Sequence, residues 1–579
     1  MPVSPDEDLF DLADAEERQN RPHAAVEAYQ RLLEQEPDNA SAAINLGLLH
    51  KYLGNNQAAL ESLFHAQAVK PELRITDACR LLDGGPIFGY AQCAEAKAIE
   101  ASAFLRQTLL GNGGFSAAAM RRRLLQGEGF DPSSPPTGRE LLLLRKDADL
   151  RQALLDGPQP EGVLLSLYAL GVAIPFDTAA SALGAATLER LLELGLLLHP
   201  PQPEHDVTSP RLVASPVQIY PLAMSNDVDN GDRQSTKPAA ASVETPDILL
   251  AAASVETPDI LLATDWDLEG MLPTKWSVMP IGNDSLNLVH LAPRDVRCAR
   301  LLDVCCGSGI QALAALRTHA DTAVAADVSP RAVGFTLFNA HLNGYADRLT
   351  VRRSDVYDGI RALGPFDAVL ANPPFVAVPP PPAGLSENVE WALYADGGPD
   401  GADVVRKIVA GADDALLRPG GRLSMVSEFP NIRAAARWLP ALGEGSVETA
   451  LQFAVIYEPV AHVQTAEEYA ADRSDERGWP WGNVEAWKAS LAASGVDEMG
   501  SGLVFALKRG STPGGADCPL RGPPREADLS LLESAGPTVE RLRDRLLAGA
   551  SASELEAIAR EHQGMSTAEG VRYTLGDEQ

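Results

Sequence analysis

The sequence predicts an α/β protein whose main module is a doubly wound sheet, preceded by two mostly helical modules. Three observations predict this architecture. Strand and helix patterns alternate over residues 264–510, a 34-residue repeat occupies the start of the chain, and 579 residues are too many for one compact domain. Hydrophobic residues make up 45% of the chain, which is enough to build several cores.

The first module is a helical repeat. The segment RPHAAVEAYQRLLEQEP ends at Pro37 and NNQAALESLFHAQAVKP ends at Pro71, so the two prolines are 34 residues apart. Small side chains let paired helices approach closely, and they recur at Ala13, Ala25, Gly47, Ala59 and Ala66. This pattern resembles tetratricopeptide repeats and predicts two copies at residues 6–73, with a capping helix and connection at residues 74–117. A protein partner is expected for such repeats.

A second helical module is predicted at residues 118–223, and its segment Thr187–Leu198, TLERLLELGLLL, is similar to part of a helix-turn-helix or winged-helix unit. Almost no basic residue lies near its expected recognition helix, so a packing or substrate-capping role is favoured over DNA binding. Residues 224–263 are predicted to be a linker with a 12-residue duplication, because ASVETPDILLA occurs twice. Residues 511–579 form a tail that is rich in Pro and Gly and then helical, and no function is assigned to it.

Charge and composition narrow the function. The chain has 48 basic and 79 acidic residues, a net charge of −31, which disfavours a nucleic-acid partner. No apolar run is long enough to span a membrane, and the start of the chain lacks a secretory signal pattern. Six cysteines are sparse and irregularly spaced, so neither a metal site nor a disulfide framework is expected. A cytoplasmic protein without membrane contact fits these features.

The α/β module is predicted to contain seven strands, the last of them antiparallel. These strands are ARLLDV, TAVAADV, RLTVRR, FDAVLAN, GRLSMVSEF, TALQFAVIYEP and GLVFALKR. In a sheet of this kind, ligands bind at the carboxyl ends of the strands. We therefore expect functional residues where each strand ends.

A glycine-rich turn follows the first strand. Asp303 ends that strand, Gly307 and Gly309 form the turn, and Asp327 ends the second strand, eighteen residues after Gly309. Glycine allows positive φ and a close backbone approach to a ligand, and an acidic residue at this second position binds ribose hydroxyls. The segment also satisfies the dinucleotide pattern G-x-G-x-x-A, so a nicotinamide enzyme is the first rival. Two further acidic or polar strand ends favour a different cofactor: Ser354-Asp355 and Asn372-Pro373-Pro374-Phe375.

The tetrapeptide Asn372-Pro373-Pro374-Phe375 suits the methylation of a planar nitrogen. Such a nitrogen is a poor nucleophile because its lone pair is delocalised. The Asn372 side-chain carbonyl and the Pro373 main-chain carbonyl can accept both N–H groups and orient the lone pair. The two prolines fix the backbone, and Phe375 offers a flat face to a planar group.

Taken in order, LLDVCCGSG, AADVSPRA, SDVY, VLANPPF, YADGGPDG and LLRPGGRL resemble class I, Rossmann-like, S-adenosylmethionine-dependent methyltransferases of the glutamine-N5 and adenine-N6 groups. The segment YADGGPDG is especially similar to the protein-glutamine enzymes. Cys305 stands where that family has its first glycine. The resemblance implies a cofactor-binding set, which is Asp303, Cys305, Gly307, Gly309, Asp327 and Asp355. It also implies that Asn372, Pro373, Pro374 and Phe375 contact the target nitrogen.

Four functions remain open at this point. The first is N-methylation of a protein or peptide amide, and the second is adenine-N6 methylation of RNA or DNA, which only the charge disfavours. The third is methylation of a small molecule, with the helical modules as a lid. The fourth is a scaffold with an idle catalytic module, and the intact Asp303, Asp327 and Asn372 count against it.

Overall fold

The computed structural model describes residues 9–18, 21–52, 56–69, 95–111, 114–124, 137–144, 147–199, 210–224, 259–266, 277–293, 297–380, 393–435, 438–439, 442, 451–457, 463–477, 484–508 and 525–527. Most of the tail and the first copy of the duplicated segment lie outside these residues. No helix within the described ranges is both long and apolar enough to cross a membrane.

The helices and strands of the described residues are numbered separately in chain order. The helices are α1 (Leu9–Arg18), α2 (Pro22–Gln35), α3 (Ala40–Tyr52), α4 (Asn56–Val69), α5 (Glu95–Gly111), α6 (Ala117–Leu124), α7 (Gly138–Leu144), α8 (Ala148–Leu155), α9 (Pro160–Leu164), α10 (Phe176–Leu183), α11 (Ala185–Glu193), α12 (Asn283–Leu291), α13 (Ile310–Thr318), α14 (Pro330–Asn343), α15 (Asp403–Gly411), α16 (Ala466–Arg477) and α17 (Val484–Ala493). The strands are β1 (Ile174–Pro175), β2 (Leu212–Val213), β3 (Gln218–Leu222), β4 (Ile260–Thr264), β5 (Cys298–Val304), β6 (Ala320–Asp327), β7 (Leu349–Arg353), β8 (Phe366–Ala371), β9 (Leu417–Pro430), β10 (Leu451–Tyr457), β11 (Val463–Thr465), β12 (Glu498–Lys508) and β13 (Arg525–Ala527).

The repeat module consists of α1 to α4, in which α1 packs on α2 and α3 packs on α4. The alanines predicted at helix crossings are fully buried: Ala13, Ala25, Ala59 and Ala66. A Cβ atom on Gly47 would lie 2.8 Å from the Leu63 Cγ atom, so only glycine lets α3 and α4 come this close. The small residues of the repeat therefore act as the sequence pattern predicts, whereas Pro71 lies outside the described residues.

The second module consists of short helices around one core, with α10 and α11 meeting at Gly184 beside the paired strands β1 and β2. Its strand β3 pairs antiparallel with β4, and β4 occupies the last residues of the predicted linker. Two asparagines of α14 bind the backbone of β4 as a neighbouring strand would. Asn339 donates to the Ala263 carbonyl at 3.0 Å and accepts from its N–H at 2.8 Å, and Asn343 pairs with Leu261 in the same way. These bonds explain why a strand forms where composition indicated a linker.

The main sheet has the strand order β13-β10-β12-β9-β8-β5-β6-β7, with β11 paired to β12. The pairs among β5, β6, β7, β8 and β9 are parallel, and β12 runs antiparallel between β9 and β10. All seven predicted strands are present, and the last is antiparallel as expected. One hydrophobic core joins α13 and α14 to the second module, and another packs α15 on the opposite face of the sheet. The α/β module is a doubly wound, Rossmann-like sheet.

The strand order reverses between β5 and β8. From β5 the chain continues to β6 and β7 on one side, and from β8 it continues to β9 on the other. A crevice forms at the carboxyl ends of the strands at such a switch point, and ligands bind there. We therefore expect the site just beyond Val304 and Ala371, where β5 and β8 end.

Candidate active site

A cleft of about 970 Å³, open solvent included, lies at this switch point. Its walls come from the turns after β5, β6, β7 and β8, from α12 and the segment before it, and from the chain before α15. The lining residues include Ser277, Val278, Met279, Ile281, Asp284, Ser285, Cys305, Cys306, Gly307, Gln311, Asp327, Val328, Asp355, Asn372, Pro373, Pro374, Phe375 and Tyr394. The mixture of apolar walls with a few polar groups is typical of a ligand site.

The glycine turn after β5 forms one wall of the cleft. Gly307 has φ +51°, and a Cβ atom there would meet no protein atom within 4 Å, so its backbone faces open space. Gly309 has φ +81° and begins α13, but a Cβ atom on it would lie 2.8 Å from Thr336 Cγ2. Thr336 also donates to the Gly307 carbonyl at 3.0 Å. The first glycine thus leaves room for a ligand, and the second lets α14 pack against the turn.

Two carboxylate side chains stabilise this turn and the start of α13 by accepting hydrogen bonds from backbone N–H groups. Asp303 is fully buried, and its Oδ2 accepts from the Ala312 N–H at 3.0 Å. Burial raises the pKa of Asp303 to about 8. Asp327 accepts from the Gly307 N–H at 3.0 Å and from the Ser329 N–H at 2.8 Å. Each carboxylate oxygen has a second lone pair, so Asp327 can still accept two ribose hydroxyls.

Other polar atoms around the cleft are buried without a partner among the described residues. They are Asp303 Oδ1, Gln311 Oε1 and Asn372 Oδ1. The two amide oxygens are acceptors, whereas the raised pKa of Asp303 keeps a proton on its carboxyl group at neutral pH. Gln311 is held by its Nε2 atom, which donates to the Ser285 carbonyl at 2.9 Å. An unpartnered buried acceptor is costly, so the two amide oxygens indicate a ligand that carries hydrogen-bond donors or positive charge.

Asp355 lies at the outer rim of the cleft. It is exposed and forms an ion pair with Lys407, whose Nζ atom lies 3.0 Å from Oδ2 and 3.1 Å from Oδ1. An exposed pair of this kind contributes little to folding stability and can rearrange when a ligand binds.

Asn372 comes directly after β8 and points into the cleft. Its Nδ2 atom donates to Asp284 Oδ2 at 2.8 Å and to Ser285 Oγ at 3.1 Å. The side-chain oxygen is left buried and free to accept. Amide oxygen and nitrogen atoms are assigned from their hydrogen-bond network, and a carboxylate neighbour requires the nitrogen on its side. The arrangement therefore leaves an acceptor oxygen without a partner among the described residues, on a side chain that lines the cleft.

The backbone after the tetrapeptide is clamped by the chain before α15. Val376 accepts a hydrogen bond from the Gly397 N–H at 3.0 Å and donates to the Ala395 carbonyl at 2.8 Å. A Cβ atom on Gly401 would lie 2.4 Å from the Phe375 carbonyl oxygen, and Gly401 has φ +79°. Only glycine fits this contact. The DGGPDG segment, residues 396–401, thus fixes the position of Phe375, and this close contact explains why Gly397 and Gly401 are glycines.

A second pocket adjoins the cleft. It lies between α12 and the strands β9 and β12, and its lining includes Asn283, Asn287, Val426, Ser427, Glu428 and Leu503. Asp284 and Phe375 line both cavities and form their shared wall. Glu428 in this pocket is held by Arg473 and by the Tyr469 hydroxyl, which donates to it at 2.9 Å.

The structure brings most of the residues predicted for the site into one place. Eight of them line the cleft: Cys305, Gly307, Asp327, Asp355, Asn372, Pro373, Pro374 and Phe375. Asp303 and Gly309 are adjacent but do not line it, because one is buried behind the turn and the other lies under α14. Within the described ranges, no group of three or more His, Cys, Asp or Glu side chains is arranged to hold a metal ion.

The sequence did not identify several lining residues, among them the polar residues Asp284, Ser285 and Gln311. The first two lie in the segment GNDSLNLV, where a glycine N-cap followed by an acidic first turn indicates the start of α12. That pattern indicates a helix start and nothing more. Their contact with Asn372 spans 88 and 87 residues of chain, which no local pattern reports.

Comparisons with known proteins agree with this geometry. Residues 285–373 match the family model described as ribosomal protein L11 methyltransferase, and residues 6–66 match the tetratricopeptide repeat model. A release factor glutamine methyltransferase of Moorella thermoacetica is 39% identical over 126 residues, and the ribosomal protein uL3 glutamine methyltransferase of Bordetella pertussis is 38% identical over 123 residues. The α/β module is thus similar to class I methyltransferases, and the first module to tetratricopeptide repeats.

These matches cover part of each protein. The Moorella match covers 21% of this chain and 43% of its relative, and the Bordetella match covers 21% and 41%. A release factor glutamine methyltransferase of Cereibacter sphaeroides is 36% identical over 148 residues, covering 25% of this chain and 52% of its own length. The chain therefore spans about half, or less, of the length of these relatives.

Proposed function

We propose that this protein is an S-adenosylmethionine-dependent N-methyltransferase that modifies a planar amide or amino nitrogen, and that its acceptor is a glutamine-type amide of a protein. The observation that carries the proposal is the buried Oδ1 atom of Asn372 at the carboxyl end of β8, which has no partner among the described residues. An acceptor oxygen in this position suits a substrate that offers an N–H group.

The residues of the cleft fit the cofactor. Its sulfonium and ammonium groups are cationic, and the Gln311 oxygen, which has no partner among the described residues, is an acceptor that suits positive charge. Gly307 leaves the space that a close backbone contact requires, and Asp327 has lone pairs for the ribose hydroxyls. When bound, S-adenosylmethionine supplies an electrophilic methyl group.

The chain's own residues would then prepare the acceptor nitrogen. Asn372 Oδ1 and the Pro373 carbonyl accept its two N–H groups, which turns the lone pair toward the cleft. Phe375 forms one wall for the planar group, held by the Gly397 and Gly401 contacts. The nitrogen gains a methyl group and gives up one proton to solvent, so no strong base is required of the site.

A protein acceptor is supported by three features. The named substrates of the relatives are proteins, the chain carries a net charge of −31, and the first module matches repeats that bind proteins. A chain this acidic disfavours the phosphate backbone of RNA or DNA. We propose that the repeat module contributes to recruiting the acceptor.

The proposal is tested with methyl-tritiated S-adenosylmethionine and a cell lysate separated into protein, nucleic-acid and small-molecule fractions. We expect label in the protein fraction, and acid hydrolysis should yield N5-methylglutamine. Label found only in nucleic acid or only in small molecules would overturn the proposed acceptor. Asp327→Ala should weaken cofactor binding measured by calorimetry, because the carboxylate that organises Gly307 is lost.

A further inference from the structure

The orientation of the Asn372 side chain decides whether the proposed reaction can proceed. The oxygen and the nitrogen of an amide are almost the same size, so the group can fit its site in two ways. Only the orientation with Oδ1 toward the cleft offers an acceptor to a substrate N–H group. Something in the chain must select that orientation before the substrate arrives.

We propose that Asp284 is a positioning residue that selects this orientation, with Ser285 as its auxiliary; the inference rests on the proposed function and deepens it. Asp284 Oδ2 accepts from Asn372 Nδ2 at 2.8 Å, and Ser285 Oγ accepts from the same nitrogen at 3.1 Å. The two contacts hold the nitrogen toward α12, against residues that form one wall of the cleft. The oxygen, on the opposite side of the amide group, has no partner among the described residues.

The two contacts differ in what they can select. An ionised carboxylate only accepts hydrogen bonds, so a reversed amide would bring two oxygens together without a proton between them. A serine hydroxyl can donate or accept, and it therefore tolerates either orientation. Asp284 therefore selects the orientation of the Asn372 amide, and Ser285 adds a hydrogen bond that either orientation can form.

The fold places Asp284 for this task. It lies in the first turn of α12, after the N-cap residue Gly282, and lines both the cleft and the second pocket. A Cβ atom on Gly282 would lie 2.6 Å from Asp284 Oδ1, so the glycine leaves room for the carboxylate. Burial raises the pKa of Asp284, and the hydrogen bond from Asn372 opposes that rise.

The decisive experiment exchanges the two side chains. In Asn372→Asp, two carboxylates face each other, and we expect the initial rate of methyl transfer to fall at least 100-fold. Asp284→Asn in the same chain restores one carboxylate and one amide, because the amide of residue 284 can donate to the new carboxylate, whose other oxygen still faces the cleft. We expect the double variant to recover at least tenfold over Asn372→Asp.

Asp284→Asn alone tests the selection directly. Its amide can accept from or donate to Asn372, so both orientations become populated and the competent fraction falls. We expect the maximal rate to fall about two- to tenfold, with the Kd for S-adenosylmethionine changed less than twofold. Asp321→Asn, at an exposed site outside the cleft, is the matched control and should leave both constants unchanged.

The assay uses full-length protein, methyl-tritiated S-adenosylmethionine at saturation and one preparation of the lysate protein fraction, with cofactor Kd measured by calorimetry. A wild-type maximal rate in Asp284→Asn, or a double variant no faster than Asn372→Asp, overturns the inference while the proposed function stands. Absence of transfer by the wild-type protein overturns both. A purely structural role for Asp284 predicts no rescue, because the double variant would combine two separate defects.

Discussion

Replacing Gly307 by alanine separates cofactor contact from backbone strain. Gly307 has φ +51°, and Gly344, at the end of α14, has φ +73°. A Cβ atom at either position meets no protein atom within 4 Å. The two substitutions therefore impose the same strain on the folded chain, about 1–2 kcal/mol for a non-glycine residue in the left-handed region. They differ because Gly307 lines the cleft and Gly344 does not.

The expected effect on the cofactor follows from the space that the new methyl group occupies. A methyl group forced into a packed contact costs about 1–3 kcal/mol, which corresponds to a roughly 5- to 150-fold weaker Kd for S-adenosylmethionine in Gly307→Ala. Gly344→Ala should lose similar unfolding free energy in urea and keep the wild-type Kd by calorimetry. Equal Kd values for the two variants would refute the placement of the cofactor against this turn.

Two further predictions concern the surroundings of the cleft. Arg331 forms an ion pair with Asp265, and Asp265 also accepts from the Val278 N–H at 2.8 Å. Arg331→Gln breaks this pair and should lower the unfolding free energy, measured in urea, by about 3–5 kcal/mol. The control Arg297→Gln breaks an exposed pair and should lower it by less than about 1 kcal/mol. Burial raises the pKa of Asp303 to about 8, so its folded form retains a proton that the unfolded chain has lost, and its contribution to stability falls as pH rises from about 4 to 8. In Asp303→Asn the urea midpoint should decline less over that pH range, and an unchanged decline would contradict the assignment.

Much of the fold follows from sequence patterns. The seven predicted strands are present in order, and the repeat spacing places the alanines that are buried between helices. The position of β12 between β9 and β10 could not be predicted, because it depends on long-range strand pairing that hydrophobic periodicity does not encode. The strand β4 was missed because its contacts are distant in the chain: it pairs with β3 across the predicted linker, and the side chains of Asn339 and Asn343 bind its backbone.

The candidate site was predictable where chemistry follows a strand end. Asp327 ends its strand, Asp355 and Asn372 follow theirs within two residues, and all three line one cleft. Asp284 was not predictable, because its importance depends on a contact with Asn372 across 88 residues. Gly309 was placed with the cofactor by its motif, whereas its nearest neighbour is Thr336, and its contact with the cofactor stays a prediction.

The proposed function requires that Asn372 Oδ1 accepts a hydrogen bond from the substrate nitrogen beside a bound cofactor. Wild-type protein and Asn372→Ala can be compared for two quantities, the Kd for S-adenosylmethionine and the rate of label transfer into the lysate protein fraction. Removing one acceptor of this kind lowers a rate by about 10²- to 10³-fold. We expect that loss with an unchanged Kd, and a variant that transfers label at the wild-type rate would contradict the role of Asn372.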